Sequence, residues 1–170
     1  TNVKGSENII SFSNFKKYKN IIFISSISVY GKGGHEKIES TKTNPNTAYG
    51  KSKLLAEKNY IEWQKEKNSE KILTICRPGV VFGPAETGNV TRLIYAIKNN
   101  KFFYLRNKNL KKAGIYIYEL IYLLIWVNLN QINKKFENFE LFNASFYPCP
   151  EISDYVESIA SIAKKNKKIL

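Results

Sequence analysis

Two strand-like runs made up mostly of apolar residues, 21-IIFI-24 and 72-ILTIC-76, constrain the fold of this chain more than any other feature of it. Both runs are rich in β-branched residues, which favour strands. Neither run alternates with polar residues, so both faces of each strand must be covered, as in a parallel sheet with helices on either side. The sequence therefore predicts an α/β fold.

Helical and strand-like segments alternate along the rest of the chain, which supports the same fold class. Predicted helices cover residues 2–18, 47–67, 90–99, 118–129 and 153–165, the last with Ser153 as its N-cap and with Asp154 and Glu157 in its first turn. Predicted strands lie at 21–24, at 72–84 with a loop at the end, and at 102–105, 115–117 and 139–145.

The apolar run at 113–127 contains Glu119 and is shorter than the roughly 20 residues that cross a bilayer, which favours a buried strand and helix over a membrane span. The net charge of +13 raises the possibility of nucleic-acid binding. However, of the 27 basic residues only three are arginines, whose forked side chains dominate base and phosphate recognition, and the lysines are scattered. We therefore expect neither a membrane nor a nucleic acid as a partner.

The two cysteines, Cys76 and Cys149, have neither metal-ligand spacing nor the density of a disulfide framework. We therefore expect no metal site. A reducing cytoplasm is the compartment that this cysteine usage favours.

Tyr49 and Lys53 lie four residues apart at the start of the helix predicted at 47–67, and so share one helix face. A free tyrosine titrates near pH ~10, and an adjacent ammonium favours the phenolate. Ser25 and Ser26 follow the first strand, at the sheet edge where ligands bind in such folds. One interpretation is a tyrosine general base with a serine holding the substrate oxygen. The alternative is that Tyr49 and Lys53 are ordinary exposed side chains of the helix, and that the two serine side chains only bond to nearby backbone groups.

Three motifs together resemble the extended short-chain dehydrogenase/reductases, and more narrowly the NAD-dependent epimerase/dehydratase family that modifies nucleotide-activated sugars. They are 23-FISSISVYG-31, 49-YGKSK-53 followed by Glu57, and 77-RPGVVFGP-84. The run 114-GIYIYEL-120 is similar to a later motif of that family, with glutamate where an aspartate is usual.

The resemblance implies a partial Rossmann-like, doubly wound parallel sheet with a small C-terminal α/β substrate-binding part. It divides the chain into a catalytic half of the sheet at about 1–84 and a substrate-binding part at about 85–170. The family's G-x-G-x-x-G turn, which binds the cofactor pyrophosphate, does not occur in the sequence. The chain thus resembles the C-terminal portion of such an enzyme, and by itself we expect it not to bind NAD tightly.

The resemblance also implies roles for individual residues. Tyr49 would move the proton of a sugar hydroxyl, Lys53 would favour the phenolate and bond the nicotinamide ribose, and Ser26 would hold the reacting oxygen. Ser25 is the alternative to Ser26 as the serine that holds the reacting oxygen, and it is also an expected cofactor contact. Pro78 would lie near the nicotinamide, and Asn89 would contact the nucleotide diphosphate.

The function implied is that of an NAD- or NADP-dependent epimerase or dehydratase acting on a nucleotide-activated sugar in polysaccharide precursor synthesis. A homodimer formed by the helices at 2–18 and 47–67 is implied as well. Two alternatives stay open: an NADPH-dependent keto-sugar reductase, and a non-catalytic truncated remnant of such an enzyme.

Overall fold

The structure is a computed structural model, and it describes residues 2–33, 36–66, 70–104 and 107–164. In chain order its elements are α1 (Asn2–Lys16), β1 (Asn20–Ile24), a 3-10 turn (Ile27–Tyr30), α2 (Ala48–Gln64), β2 (Ile72–Pro78), β3 (Val80–Phe82), α3 (Asn89–Lys98), β4 (Gly114–Tyr116), α4 (Ile117–Ile132), β5 (Phe139–Ala144) and α5 (Ile152–Ile162).

These elements divide into two compact units. The first consists of Thr1–Pro78 with Glu119–Ala144, and the second of Gly79–Tyr118 with Ser145–Leu170. The functional division expected near residue 84 stays a prediction.

The first unit is built around a parallel sheet in the order β1-β2-β5. The central strand, β2, is buried from Leu73 to Pro78, as expected of a mostly apolar strand covered on both faces. Because the strands are parallel, β1, β2 and β5 all end at one edge of the sheet, which we call the carboxyl edge. The predicted α/β fold with a parallel sheet is confirmed.

One face of this sheet is covered by α1 and α2. Tyr60 and Trp63 of α2 form a core with Leu73 and Ile75 of β2. Each large side chain buried in this way stabilises the fold by about 1.5–3 kcal/mol. The Trp63 indole also donates to the Asn14 side-chain oxygen at 3.0 Å, which joins α2 to α1.

The opposite face of the sheet is covered by α4. The Thr74 hydroxyl of β2 donates to the buried Gln131 side chain at 2.5 Å, and Asn20 of β1 donates to Asn128 at 2.6 Å. The sheet is therefore doubly wound. The apolar run at 113–127 forms β4 and most of α4, and in the described part of the chain no helix is long and apolar enough to cross a membrane.

The second unit contains the parallel pair β3–β4 and a small core between α3 and α5. In this core Ile97 of α3 packs with Val156 and Ala160 of α5. The strand predicted at 102–105 is wrong for residues 102–104, which form no strand; residue 105 lies outside the described residues. Phe102 and Tyr104 instead pack their rings against the α3–α5 core, so their apolar character serves a loop.

Two further details differ from the sequence prediction. The segment 72–84, expected as one strand that ends in a loop, contains β2 in the first unit and β3 in the second, and the two strands belong to different sheets. The N-cap of α5 is Glu151 rather than Ser153, and the Asp154 carboxylate at the third helical position accepts the Glu151 backbone N–H at 2.8 Å. Asp154 lies in the first turn as expected, and Glu157 does not.

Candidate active site

Tyr49 and Lys53 lie on one face of α2, near its N-terminus. Thr47 caps the helix by accepting a hydrogen bond from the Gly50 N–H at 3.0 Å. The Lys53 ammonium lies 5.9 Å from the centroid of the Tyr49 ring, and the Tyr49 side chain is 52% exposed. The pair is therefore adjacent, with the tyrosine open to a ligand.

The first turn of α2 packs directly against the 3-10 turn that follows β1. A Cβ atom at Gly50 would lie 2.5 Å from the Ser28 carbonyl oxygen and 3.0 Å from the Pro45 side chain, so only glycine fits at this position. Ser26 caps the 3-10 turn, and its oxygen accepts from the Ser28 N–H at 3.2 Å. Since this bond uses a lone pair of the Ser26 oxygen, the hydroxyl proton remains available to a substrate oxygen.

Lys53 is held against the end of β1. Its ammonium donates to the Ile24 carbonyl at 2.7 Å and lies 5.0 Å from the centroid of the Phe23 ring. Burial lowers the pKa of Lys53 below its ordinary value, and the negative charge of Glu57 opposes part of this shift. The charge on Lys53 thus depends on Glu57, one helical turn further along α2.

Glu57 is fully buried in a set of charge-assisted hydrogen bonds. It is 1% exposed and receives two bonds from Arg77, at 2.9 Å to one carboxylate oxygen and 2.6 Å to the other. Its first oxygen also accepts the Ser25 hydroxyl at 2.5 Å. Such a bidentate pair has fixed geometry and joins α2 to β2. The Ser25 bond adds the residue that follows β1, so the three elements are held together at the carboxyl edge.

The same network reaches the third strand of the sheet. Arg77 donates a further bond to the Tyr30 hydroxyl at 2.8 Å, and Tyr30 donates in turn to the Asn143 side-chain oxygen, also at 2.8 Å. Tyr30 belongs to the 3-10 turn and Asn143 to β5. We call Ser25, Tyr30, Glu57, Arg77 and Asn143 the edge network.

The structure brings several predicted site residues together in the first unit. Tyr49, Lys53 and Ser26 lie on neighbouring elements at the carboxyl edge, whereas the Ser25 side chain is buried with its hydroxyl bonded to Glu57. Pro78 ends β2 at the same edge. Asn89 is the first residue of α3, in the second unit. The functional roles of all these residues stay predictions.

Glu57, Arg77, Tyr30 and Asn143 received no role from the sequence. A signal for two of them was present, because Arg77 interrupts an otherwise apolar strand and Glu57 follows Lys53 at helical spacing. A charged residue at a buried position is seldom without a partner. Tyr30 and Asn143 give no comparable signal, since tyrosine and asparagine are ordinary at strand ends. Within the described residues, no group of histidine, cysteine, aspartate and glutamate side chains is arranged to hold a metal ion.

Comparisons with known proteins identify the family of this chain. Residues 1–132 match the NAD dependent epimerase/dehydratase family. A curated relative, the N-acetyl-alpha-D-glucosaminyl-diphospho-ditrans,octacis-undecaprenol 4-epimerase of Escherichia coli O157:H7, is 37% identical over 120 residues, which are 71% of this chain and 36% of the relative.

Solved structures share the fold at lower identity. The UDP-glucuronic acid 4-epimerase from Bacillus cereus in complex with NAD has a TM-score of 0.82 at 22% identity, covering 98% of this chain and 54% of that one. MoeE5 in complex with UDP-glucose and NAD has a TM-score of 0.81 at 18% identity, covering 95% and 54%. The chain thus spans about a third of the length of the curated relative and about half that of these structures. The chain belongs to the NAD-dependent epimerase/dehydratase family.

Proposed function

We propose that this chain carries the catalytic and substrate side of an NAD(P)-dependent epimerase or dehydratase that acts on a nucleotide-activated sugar. The observation that carries the proposal is the placement of Tyr49 and Lys53 on one face of α2, packed against the turn that presents Ser26. In doubly wound sheets this carboxyl edge is where ligands bind. Membership of the family and the names of the relatives support the same reaction class.

The residues present fit the nicotinamide end of the cofactor. An ammonium has three N–H donors, and among the described residues Lys53 gives one to Ile24 and has no second acceptor. The side-chain oxygen of Ser28, Oγ, is buried and has no hydrogen-bond partner among the described residues. Polar groups left in this way are expected beside a hydroxyl-rich ligand such as a ribose. When bound, nicotinamide supplies the acceptor and donor of hydride.

The chain's own residues would handle the proton. Tyr49 would take the proton from a sugar hydroxyl as its carbon is oxidised, and would return it when the carbonyl is reduced. Lys53, while protonated, would favour the phenolate form of Tyr49 and bond the ribose hydroxyls. Ser26 would donate its free hydroxyl proton to the reacting oxygen and hold it beside Tyr49.

The substrate class rests on the relatives. The solved structures include complexes with UDP-glucose and with UDP-glucuronic acid, and the curated relative is a 4-epimerase of a diphospho-linked N-acetylglucosamine. A diphosphate-linked hexose is their shared chemistry, and we assign Asn89 as a contact of that diphosphate.

We place the reaction in the cytoplasm, in polysaccharide precursor synthesis. Recovery of the protein in a periplasmic or membrane fraction of cells would contradict this compartment.

Tyr49→Phe tests the catalytic assignment. Because this chain by itself is expected not to bind NAD tightly, the variant is made in the complete protein. There it should lower turnover of nucleotide-activated hexoses by about 10²–10⁴-fold, since it removes the proton-transferring group, while NAD affinity changes little. Turnover is followed by NMR of the anomeric protons, and Tyr122→Phe, an exposed tyrosine on α4, is the matched control.

Each result of that assay discriminates between the candidate activities. Normal turnover by Tyr49→Phe would exclude Tyr49 as the base. Reduction of a keto-sugar with consumption of NADPH, without epimerisation, would support the reductase alternative. A wild-type protein that neither binds NAD nor turns over any of these sugars would support the non-catalytic alternative.

We also propose a homodimer formed through α1 and α2. Ile9, Phe12 and Phe15 recur at helical spacing on α1 and are exposed, Phe15 by 76%, as is Leu55 on α2. Exposed apolar side chains on one helix face are typical of an association surface. Phe12→Lys should shift the mass measured by light scattering towards the monomer, and Ile38→Lys, at an exposed apolar residue of the loop before α2, should not. A wild-type protein that is monomeric at high concentration would contradict the dimer.

A further inference from the structure

The edge network connects every strand end of the first-unit sheet to the helix that bears Tyr49 and Lys53. Ser25, Tyr30, Glu57 and Arg77 are all buried, the last by all but 5% of its surface. Burying a carboxylate and a guanidinium is costly unless they are paired and hydrogen-bonded, as they are here. A charged cluster retained directly beneath a candidate active site calls for a reason beyond stability, because a well-packed apolar pair is often as stable.

The geometry supplies such a reason. Two consecutive residues of β1 and its extension, Ile24 and Ser25, bond to two positions of α2 that are one turn apart, Lys53 and Glu57. Together the two bonds fix the position of α2 along its own axis and its rotation about that axis, both relative to β1. Tyr49 lies one further turn towards the N-terminus of the same face, so its position is set by the same pair of bonds.

We propose that Glu57 and Arg77 are positioning residues of this enzyme: their buried ion pair fixes Lys53 and the Ser25–Ser26 strand end relative to Tyr49. The inference rests on the proposed function. Neither residue needs to touch substrate or cofactor, because Glu57 acts through Lys53 and Ser25, and Arg77 acts through Glu57 and Tyr30.

Electrostatics point in the same direction. Burial lowers the pKa of Lys53, and Glu57 opposes this shift, so Glu57 extends the pH range over which the ammonium remains charged. The groups around Lys53 are Tyr49 and Glu57 on its own helix, Phe23 and the Ile24 carbonyl from β1, and Arg77 and Tyr30 beyond Glu57. Among these, Glu57 supplies the negative charge.

The test is a lysine titration of the whole chain by NMR, with ¹³C-labelled lysine and with Lys53→Arg to assign the signal. In Glu57→Gln, which keeps the size and a hydrogen-bonding oxygen, the Lys53 transition should move to lower pH. Glu62→Gln, an exposed glutamate on the same helix, is the matched control and should leave the Lys53 transition unchanged. Glu57→Asp keeps the charge and should restore most of the wild-type transition.

Turnover gives a second, independent readout. Glu57→Gln should lower kcat by about 10²-fold, as expected for small misplacements of a catalytic group, with KM for the sugar changed much less. It should also narrow the pH–rate profile on its alkaline side, with Glu57→Asp recovering part of both.

The outcomes separate this inference from the proposed function. A Lys53 transition that does not move in Glu57→Gln, together with a lower melting temperature, would make the pair purely structural and overturn the inference. A transition that moves in a protein without turnover would leave the positioning role intact and reject the proposed function. If Glu57→Gln fails to fold, the double variant Glu57→Leu, Arg77→Leu decides, because it leaves no charge buried without a partner. A Lys53 transition moved to lower pH in that variant supports the inference, and an unmoved transition overturns it.

Discussion

The carboxyl edge of the first unit and the β3–β4 pair of the second unit are stabilised by opposite kinds of interaction. At the edge, Arg77 makes directed bonds to Glu57 and Tyr30, all of them buried. In the second unit, the Phe82 ring of β3 packs 5.9 Å from the rings of both Tyr116 and Phe146, measured between centroids.

The difference teaches what each region is built for. Charge-assisted hydrogen bonds have narrow distance and angle requirements, so they hold side chains in one arrangement. Aromatic contacts are favourable over a range of tilts and separations, so they tolerate adjustment. Proton transfer needs fixed distances, whereas binding of a bulky ligand profits from adaptable walls. The catalytic role of the first unit and the substrate-binding role of the second stay predictions, and this contrast gives a way to test them.

The largest effect that this comparison predicts is for Arg77→Leu. It should lower the free energy of unfolding by about 3–5 kcal/mol, because Glu57 would stay buried without its counter-charge. Urea-induced unfolding followed by circular dichroism measures the change.

The control for that experiment is the double variant Glu57→Leu, Arg77→Leu. It should be more stable than Arg77→Leu alone, since no charge remains buried without a partner. If the single variant is as stable as the double variant, the Glu57–Arg77 ion pair does not stabilise the carboxyl edge. The proposed difference between the two regions would then be wrong.

Sequence reasoning found the elements of the first unit because each is encoded locally. The β-branched runs at 21–24 and 72–76 form parallel strands β1 and β2. The helix expected from Thr47 is α2, which begins at Ala48 with Thr47 as its N-cap. Tyr49 and Lys53 share a face for the same local reason, their spacing of one helical turn.

The edge network was beyond local reasoning because its members come from separate elements. Glu57 and Arg77 are 20 positions apart, and Tyr30 and Asn143 are 113 apart. Their meeting depends on parallel pairing bringing strand ends together, and the exact partners follow from the register. The wrong strand at 102–104 has the converse cause: Phe102 and Tyr104 have strand-like character, but tertiary packing on the α3–α5 core decides their conformation.

The smaller effect expected from the comparison is for Phe82→Leu in the second unit. Leucine fills much of the same space but loses the ring contacts with Tyr116, Phe146 and Tyr155, so the free energy of unfolding should fall by only about 1–1.5 kcal/mol. Urea unfolding again gives the value, and Arg77→Lys, an equally conservative change at the carboxyl edge, is the comparison. Lysine cannot reproduce the forked bonds to Glu57, so Arg77→Lys should lower the free energy of unfolding by more than Phe82→Leu does. A larger loss of stability in Phe82→Leu than in Arg77→Lys would mean that the aromatic packing of β3–β4 tolerates less change than the hydrogen bonds of the carboxyl edge. The argument that the carboxyl edge is the region of fixed geometry would then be wrong.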